Sequence, residues 1–201
     1  MPRPPSYDRE TALARAVGLF WHKGYHDSSM KQIERALDMR PGSIYATFGS
    51  KDGLFSEALA RYAQQGGEEL AGHMAGYSSV LEGLQAYLMS IASNCSDPQC
   101  APARACLIVK TLLESSNTNT PLYEQAKGVL SAIEDAFTEL LETARTQGEL
   151  APATDCRRLA RLIQSQIMGL RSMAERDLPT IELERLGQDM AALLDAYRVR
   201  N

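Results

Sequence analysis

Apolar residues recur at three- and four-residue intervals along almost the whole chain, and no stretch alternates apolar with polar as a half-buried strand would. The pattern predicts an all-α protein of about nine helices. From about residue 7 to 23, Leu13, Ala16, Val17 and Phe20 form one stripe, and Gly24 is placed to end that helix. Two short amphipathic pieces follow. The first opens at Ser28 or Ser29 and carries Ile33 and Leu37 four residues apart. The second takes Pro41 in its first turn and carries Ile44 and Phe48 at the same spacing. Asp38-Met39 turns the chain between them. Gly49 stops the second piece, Ser50 caps a longer helix, and Asp52 in its first turn complements the helix dipole. Leu54, Phe55, Ala58, Leu59 and Tyr62 stripe that helix towards residue 74.

The remaining pattern is again helical. Leu81, Leu84, Leu88 and Ile91 line one side of 80–93, a proline-bearing loop occupies 94–103, and 104–115 is a short, very apolar helix. Pro121 opens a long helix to about residue 147, striped by Leu122, Ala126, Val129, Ile133, Phe137, Leu140 and Ala144 and ended by Gly148. Two amphipathic helices, 155–176 and 181–198, close the chain on either side of Pro179. The predicted organisation is a helix-turn-helix head at 1–53, completing a three-helix unit, and a larger helical body at 54–201.

Composition changes this picture in three ways. Apolar residues make up 44% and charged residues 23%, an ordinary globular balance, and no apolar run approaches the about 18–20 residues that span a bilayer. With no apolar centre in MPRPPSYDRE to act as a signal peptide, the expected location is cytoplasmic and no membrane partner is expected. Four cysteines (Cys95, Cys100, Cys106, Cys156) are too few and too unevenly spaced for a disulfide framework and read as thiols. The overall net charge of −4 disfavours nucleic acid, but its distribution does not. Residues 1–61 hold nine Lys/Arg against seven Asp/Glu, so the head is slightly basic on an acidic body.

The polar positions of the head carry Lys31, Arg35, Arg40, Ser43, Tyr45, Thr47 and Lys51, all able to donate hydrogen bonds to phosphates or base edges. Two short helices, each with a small apolar face and donors outside, are what seating a second helix in a major groove requires. The order G-S-I-Y-x-x-F-x-S-K-x-x-L-F over Gly42–Phe55, together with Phe20, Gly24-Tyr25, Ser29-Met30, Ile33 and Pro41, resembles the TetR family of transcriptional regulators across roughly the first 60 residues. The resemblance implies a phosphate bond from the hydroxyl and backbone N–H of Ser29, with Arg40, Ser43 and Thr47 facing the groove. It further implies phosphate contacts from Tyr45 and Lys51, and close backbone approach at Pro41-Gly42. Ala46 stands where the family often has a larger aromatic or His side chain. Arg3, on the proline-bearing arm, is a candidate for a minor groove.

For the body, the resemblance implies a homodimer on a palindromic double-stranded operator and a pocket for a small effector. The last two helices suit the pairing through Leu159, Leu162, Leu170, Leu186, Met190 and Leu193. Candidate pocket residues are Tyr87, Leu88, Ile91, Cys106, Val109, Leu113, Phe137 and Met168, a set with few polar anchors that favours an apolar or thiol-reactive effector. The run Ala105-Cys106-Leu107-Ile108-Val109 is similar to a G-C-L-x-V run of the NemR-like branch of the family, with Ala105 in place of the glycine. A thiol near the first turn of a helix is set up to ionise, with Arg104 and Lys110 close in sequence. The other reading of Cys106 is a small buried hydrophobe sharing a face with Val109 and Leu113.

The expected function is therefore a DNA-binding transcriptional regulator, a repressor released by its effector, with no cofactor and no metal. The alternatives are a helical protein-binding adaptor, or an enzyme. Against the enzyme stand the lack of a dinucleotide, P-loop, zinc-protease or nucleophile-elbow motif, and three histidines (His22, His26, His73) without evident partners.

Overall fold

A computed structural model describes residues 8–96 and 105–199; Arg3, Cys100 and Arg104 lie outside the described residues. Among them are nine α-helices: α1 Arg9–Lys23, α2 Met30–Leu37, α3 Pro41–Phe48, α4 Lys51–Met74, α5 Val80–Ser96, α6 Leu107–Ser115, α7 Thr120–Thr146, α8 Cys156–Ala174 and α9 Thr180–Ala192. A 3-10 turn, Leu193–Tyr197, follows α9, and one isolated antiparallel bridge pairs Leu150 with Arg198. None of these helices is long and apolar enough to cross a membrane.

The chain divides into two compact units, residues 1–65 with 107–127, and residues 66–106 with 128–201. In the first, α1 packs on α2 and α2 on α3. The apolar stripes close this core as their spacing requires: Leu13, Ala16, Val17, Phe20, Ile33, Leu37, Ile44, Phe48, Leu54 and Phe55 are all buried. Helix ends carry the expected chemistry and some that the sequence left unassigned. Asp8 caps α1 by accepting the N–H groups of Glu10 and Thr11. Ser29, not Ser28, caps α2; Ser28 is fully buried and donates to the Gly24 carbonyl. Asp38 makes the turn in the left-handed conformation, and Pro41 is the first residue of α3. Ser50 accepts the Gly53 N–H at the start of α4.

In the second unit, α5 packs against both α8 and α9, which also touch each other. Gly187 lets α9 pack close on α5: a Cβ there would lie 2.5 Å from the Ala92 Cβ. Glu149 caps α5, accepting from Ser79 Oγ, Val80 N–H and Leu81 N–H at 2.7–2.9 Å. Burial alone would raise its pKa, but the Leu81, Ser79 and Val80 bonds outweigh it and hold the carboxyl below its usual range.

Four expectations need correction here. Helix α5 extends through Asn94 to Ser96, where a loop was expected from residue 94. Helix α6 begins at Leu107, so Cys106 and Ala105 precede it. The last helix ends at Ala192 and tightens to a 3-10 turn. Leu159, Leu170 and Met190, expected at a subunit interface, are sealed in this chain's own core, because the stripes of α8 and α9 close on one cluster with α5 and α7. Leu162 and Leu186 are half-buried, and Leu193 is 52% exposed.

Candidate nucleic-acid interface

Helix α3 turns its two apolar side chains, Ile44 and Phe48, into the core and leaves Arg40, Pro41, Gly42, Tyr45 and Ala46 exposed. Arg40 is the N-cap residue in extended conformation, with no side-chain cap bond tying it to the helix start. Arg40, Ser43 and Thr47 stand at offsets of three and four residues and so share one face. Ser43 and Thr47 are half-buried, and the Thr47 hydroxyl donates to the Ser43 carbonyl at 2.8 Å. Tyr45 is 48% exposed, so its hydroxyl is open to a partner from outside. Beyond its chain neighbours and its own helix backbone, nothing among the described residues comes within 4 Å of where a Gly42 Cβ would sit, so intramolecular packing does not require glycine there.

Ser29 is more engaged than the sequence suggested. Its N–H and its hydroxyl both donate to Gln32 Oε1, at 2.8 and 3.0 Å, and its oxygen accepts the Gln32 N–H at 3.4 Å, a complete capping box. Gln32 was missed as part of this site, although the S-x-x-Q spacing is its signature.

Lys51, the first residue of α4, holds its ammonium 4.3 Å from the centre of the Tyr25 ring. Desolvation lowers its pKa, opposed by the nearby Asp52 and Glu114 charges. The Tyr25 hydroxyl donates to Asp52 Oδ1, and Asp52 Oδ2 accepts from Asn119 at 3.3 Å. Burial, then Asp52, pushes the Tyr25 phenol up to about 12. Glu114 accepts the Tyr25 N–H at 3.0 Å, and Lys110 donates to the Trp21 carbonyl at 3.2 Å. His26 has partners after all: its Nε2 lies 3.3 Å from the Glu114 carbonyl oxygen and 3.2 Å from the Thr118 hydroxyl. An open cleft of about 500 Å³ lies beside this network, lined by Asp52, Gly53, Ser56, Asn119, Pro121, Leu122 and Gln125.

The candidate effector residues fall in both compact units. Leu88, Ile91 and Phe137 are core residues of the second unit, exposed by 4% or less. Tyr87 is half-buried there, 6.5 Å from the Phe137 ring and 5.4 Å from His73, and burial raises its phenol pKa. Cys106 and Met168 are half-buried in the same unit. Val109 and Leu113 belong to the first unit, and Leu113 is 71% exposed. The buried face of α6 is Leu107, Ile108, Thr111 and Ser115, so Cys106, Val109 and Leu113 do not form a shared core face. Cys95, Cys106 and Cys156 take part in no disulfide, and no group of potential metal ligands occurs among the described residues.

Two family models match the chain: "Bacterial regulatory proteins, tetR family" at residues 12–58 and "Tetracyclin repressor-like, C-terminal domain" at residues 80–189. The Escherichia coli K12 transcriptional repressor ComR is 28% identical over 181 residues, 90% of this chain and 85% of that protein. A cysteine-substituted variant of the TetR family transcriptional regulator CifR, solved with 26 bp double-strand operator DNA, superposes with a TM-score of 0.86 at 30% identity. The match covers 94% of this chain and 98% of that one. Reduced E. coli NemR shares the fold with a TM-score of 0.81 at 18% identity, covering 96% of this chain and 97% of NemR. A reading helix held by two buried side chains, a capped helix before it and matches over both parts of the sequence converge: the chain belongs to the TetR family of DNA-binding transcriptional regulators.

Proposed function

We propose that the chain is a homodimeric repressor that holds a palindromic double-stranded operator and leaves it when a small apolar or thiol-reactive effector binds. The observation that carries the reading is α3, which buries Ile44 and Phe48 and presents Arg40, Ser43 and Thr47 along one face beside an exposed Tyr45. In this reading Arg40 and Thr47 meet base edges, Arg40 as a donor and Thr47 through its oxygen or methyl group, since its hydroxyl proton goes to Ser43. Tyr45 and Lys51 hold phosphates, Gly42 lets the DNA backbone come close, and Ser29 takes a phosphate by exchanging it for the Gln32 side chain. ComR is a named repressor and the CifR variant holds operator DNA, which supports the same direction.

Two heads reach successive half-sites about 34–36 Å apart only as a symmetric pair. Leu162, Leu186 and Leu193 retain surface for that pairing. Tyr87, Met168 and Cys106, all half-buried in the second unit, are the effector contacts that remain reachable without emptying the core. The head comprises residues 1–53 and the body 54–201, and the protein works in the cytoplasm, where its DNA is. Release follows if the effector prefers the state in which the two heads are wrongly spaced for the operator.

The test is a mobility shift with DNA from upstream of the chain's own gene. A salt-sensitive complex is expected, and Arg40→Ala costs about 1–3 kcal/mol of discrimination and relaxes sequence preference at one position. No complex with any such fragment, or an Arg40→Ala protein with unchanged affinity and preference, overturns the reading.

A further inference from the structure

We infer that Tyr25 is a positioning residue for DNA binding: its ring sets the Lys51 ammonium where a phosphate oxygen meets it, and Glu114 and Asn119 hold Tyr25 and Asp52 in place for that task. The inference rests on the reading of Lys51 as a phosphate ligand.

A lysine has a flexible four-carbon stem and must be ordered when it binds an anion. Here the ordering is done in advance. The ammonium sits 4.3 Å from the Tyr25 ring centre, within cation–π range, and its N–H bonds directed away from the ring remain available to an anion. The ring is itself held by several contacts. It stands edge-on to Phe55 and to His26, each with centroids 5.2 Å away. Its hydroxyl donates to Asp52, the residue next to Lys51, and Asp52 is held from its other oxygen by Asn119 at 3.3 Å. Its backbone N–H donates to Glu114 at 3.0 Å. Gly24 makes that last bond possible: a Cβ there would fall 2.3 Å from Glu114 Oε1. Burial and Asp52 keep the phenol protonated up to about pH 12, so it stays a donor under any working condition. A ring that only filled the core would satisfy its hydroxyl but would not need a cation above it.

Phosphate contacts are sequence-independent and leave a signature in salt dependence, so no operator is needed for the test. Binding of the full-length protein to random-sequence duplex DNA is measured over a salt series. Lys51→Ala lowers the slope of log K against log[salt] by about 0.9 for each phosphate that is no longer neutralised. Tyr25→Leu is expected to lower it by a comparable amount, and Tyr25→Leu with Lys51→Ala by no more than Lys51→Ala alone. Tyr25→Phe, which keeps the ring, should retain most of the slope. If Tyr25→Leu weakens binding at every salt with an unchanged slope, or if its effect adds in full to that of Lys51→Ala, the role is merely structural and the inference falls. Should Tyr25→Leu not fold, Glu114→Ala decides: it spares the ring, removes an anchor and takes a negative charge away from Lys51, a change that does not by itself lower the slope, so a lower slope upholds the inference and an unchanged slope overturns it. A wild-type protein that binds no duplex at low salt overturns the functional reading as well. A Lys51-dependent slope indifferent to Tyr25 overturns the positioning role alone.

Discussion

Helices α3 and α6 are of similar length, eight and nine residues, lie in the same compact unit, and use their polar groups in opposite ways. Helix α3 is anchored by Ile44 and Phe48, leaves Tyr45 exposed and Ser43 and Thr47 half-buried, and has no side-chain cap bond that fixes its start. Helix α6 buries Leu107, Ile108, Thr111 and Ser115, and two of its charged side chains act inward: Lys110 on the Trp21 carbonyl, Glu114 on the Tyr25 N–H. What it leaves outside is apolar, Leu113. A reading helix must keep its donors for a partner, so apolar burial alone positions it. A helix that holds other segments in place spends its polar groups within the fold. The difference teaches where each is vulnerable: α3 to removal of a core side chain, α6 to removal of a hydrogen bond.

The largest effect should come from the side of α3. Ile44→Ala removes a fully buried side chain, and a loss of about 2–5 kcal/mol is expected, read by thermal or denaturant melting. A fall below about 1 kcal/mol would mean that α3 has anchors besides its apolar pair. Next is Gly24→Ala, which places a Cβ against Glu114 at φ 78° and ψ −177°, a region essentially confined to glycine. It should cost about 1–3 kcal/mol of stability, and the Tyr25 amide should exchange with solvent faster as its bond to Glu114 breaks. Gly42→Ala tests the other helix with the opposite sign. With nothing near the added Cβ, stability should rise by about 0.5–1 kcal/mol while DNA affinity falls. A variant that gains stability and binds DNA unchanged would show that the backbone does not approach the duplex at Gly42.

The hydrogen-bonded network can also be approached through pH. The Tyr25 phenol is raised in the folded chain from 10.0 to about 12, so its contribution is fully present below pH 10 and is lost as pH rises through 12. Tyrosinate absorbance should therefore show Tyr25 among the late-titrating phenols, with Tyr87, which burial also raises, and Asp52→Asn should bring the Tyr25 phenol back towards 10. The smallest change is expected at Leu113→Ser, within about 0.5 kcal/mol, because that side chain is already in solvent. A large loss of stability there would mean that the apolar side of α6 is covered in solution.

How much was legible in the sequence differs between the same two helices. For α3 the spacing of Ile44 and Phe48, Pro41 at the start and Gly49 at the end were sufficient, because each is a local preference that the core only had to accept. For α6 they were not. Apolar residues lie on two of its sides, so periodicity did not say which was buried, and two of the buried residues, Thr111 and Ser115, are polar. Thr111 resolves this by donating to the Leu107 carbonyl; the Ser115 hydroxyl has no partner among the described residues. Gln32 was readable from its distance to Ser29, a capping box being local, whereas the bond from Tyr25 to Glu114 joins segments 89 residues apart and has no sequence signal.

The same division runs through the rest of the chain. By itself the sequence determined the helices, most of their caps, the buried pairs of the head and the family, because helical period, cap chemistry and a dense short motif act over a few residues. Only the tertiary structure decided what each stripe packs against. By their spacing Leu159, Leu170 and Met190 suit a partner subunit, yet they are sealed in the core that α5, α7, α8 and α9 share. Only the tertiary structure also set Lys51 on Tyr25, with Glu114 and Asn119 behind it. An apolar stripe records that it must be buried, and the identity of its neighbour is settled by which other surfaces the fold brings within reach.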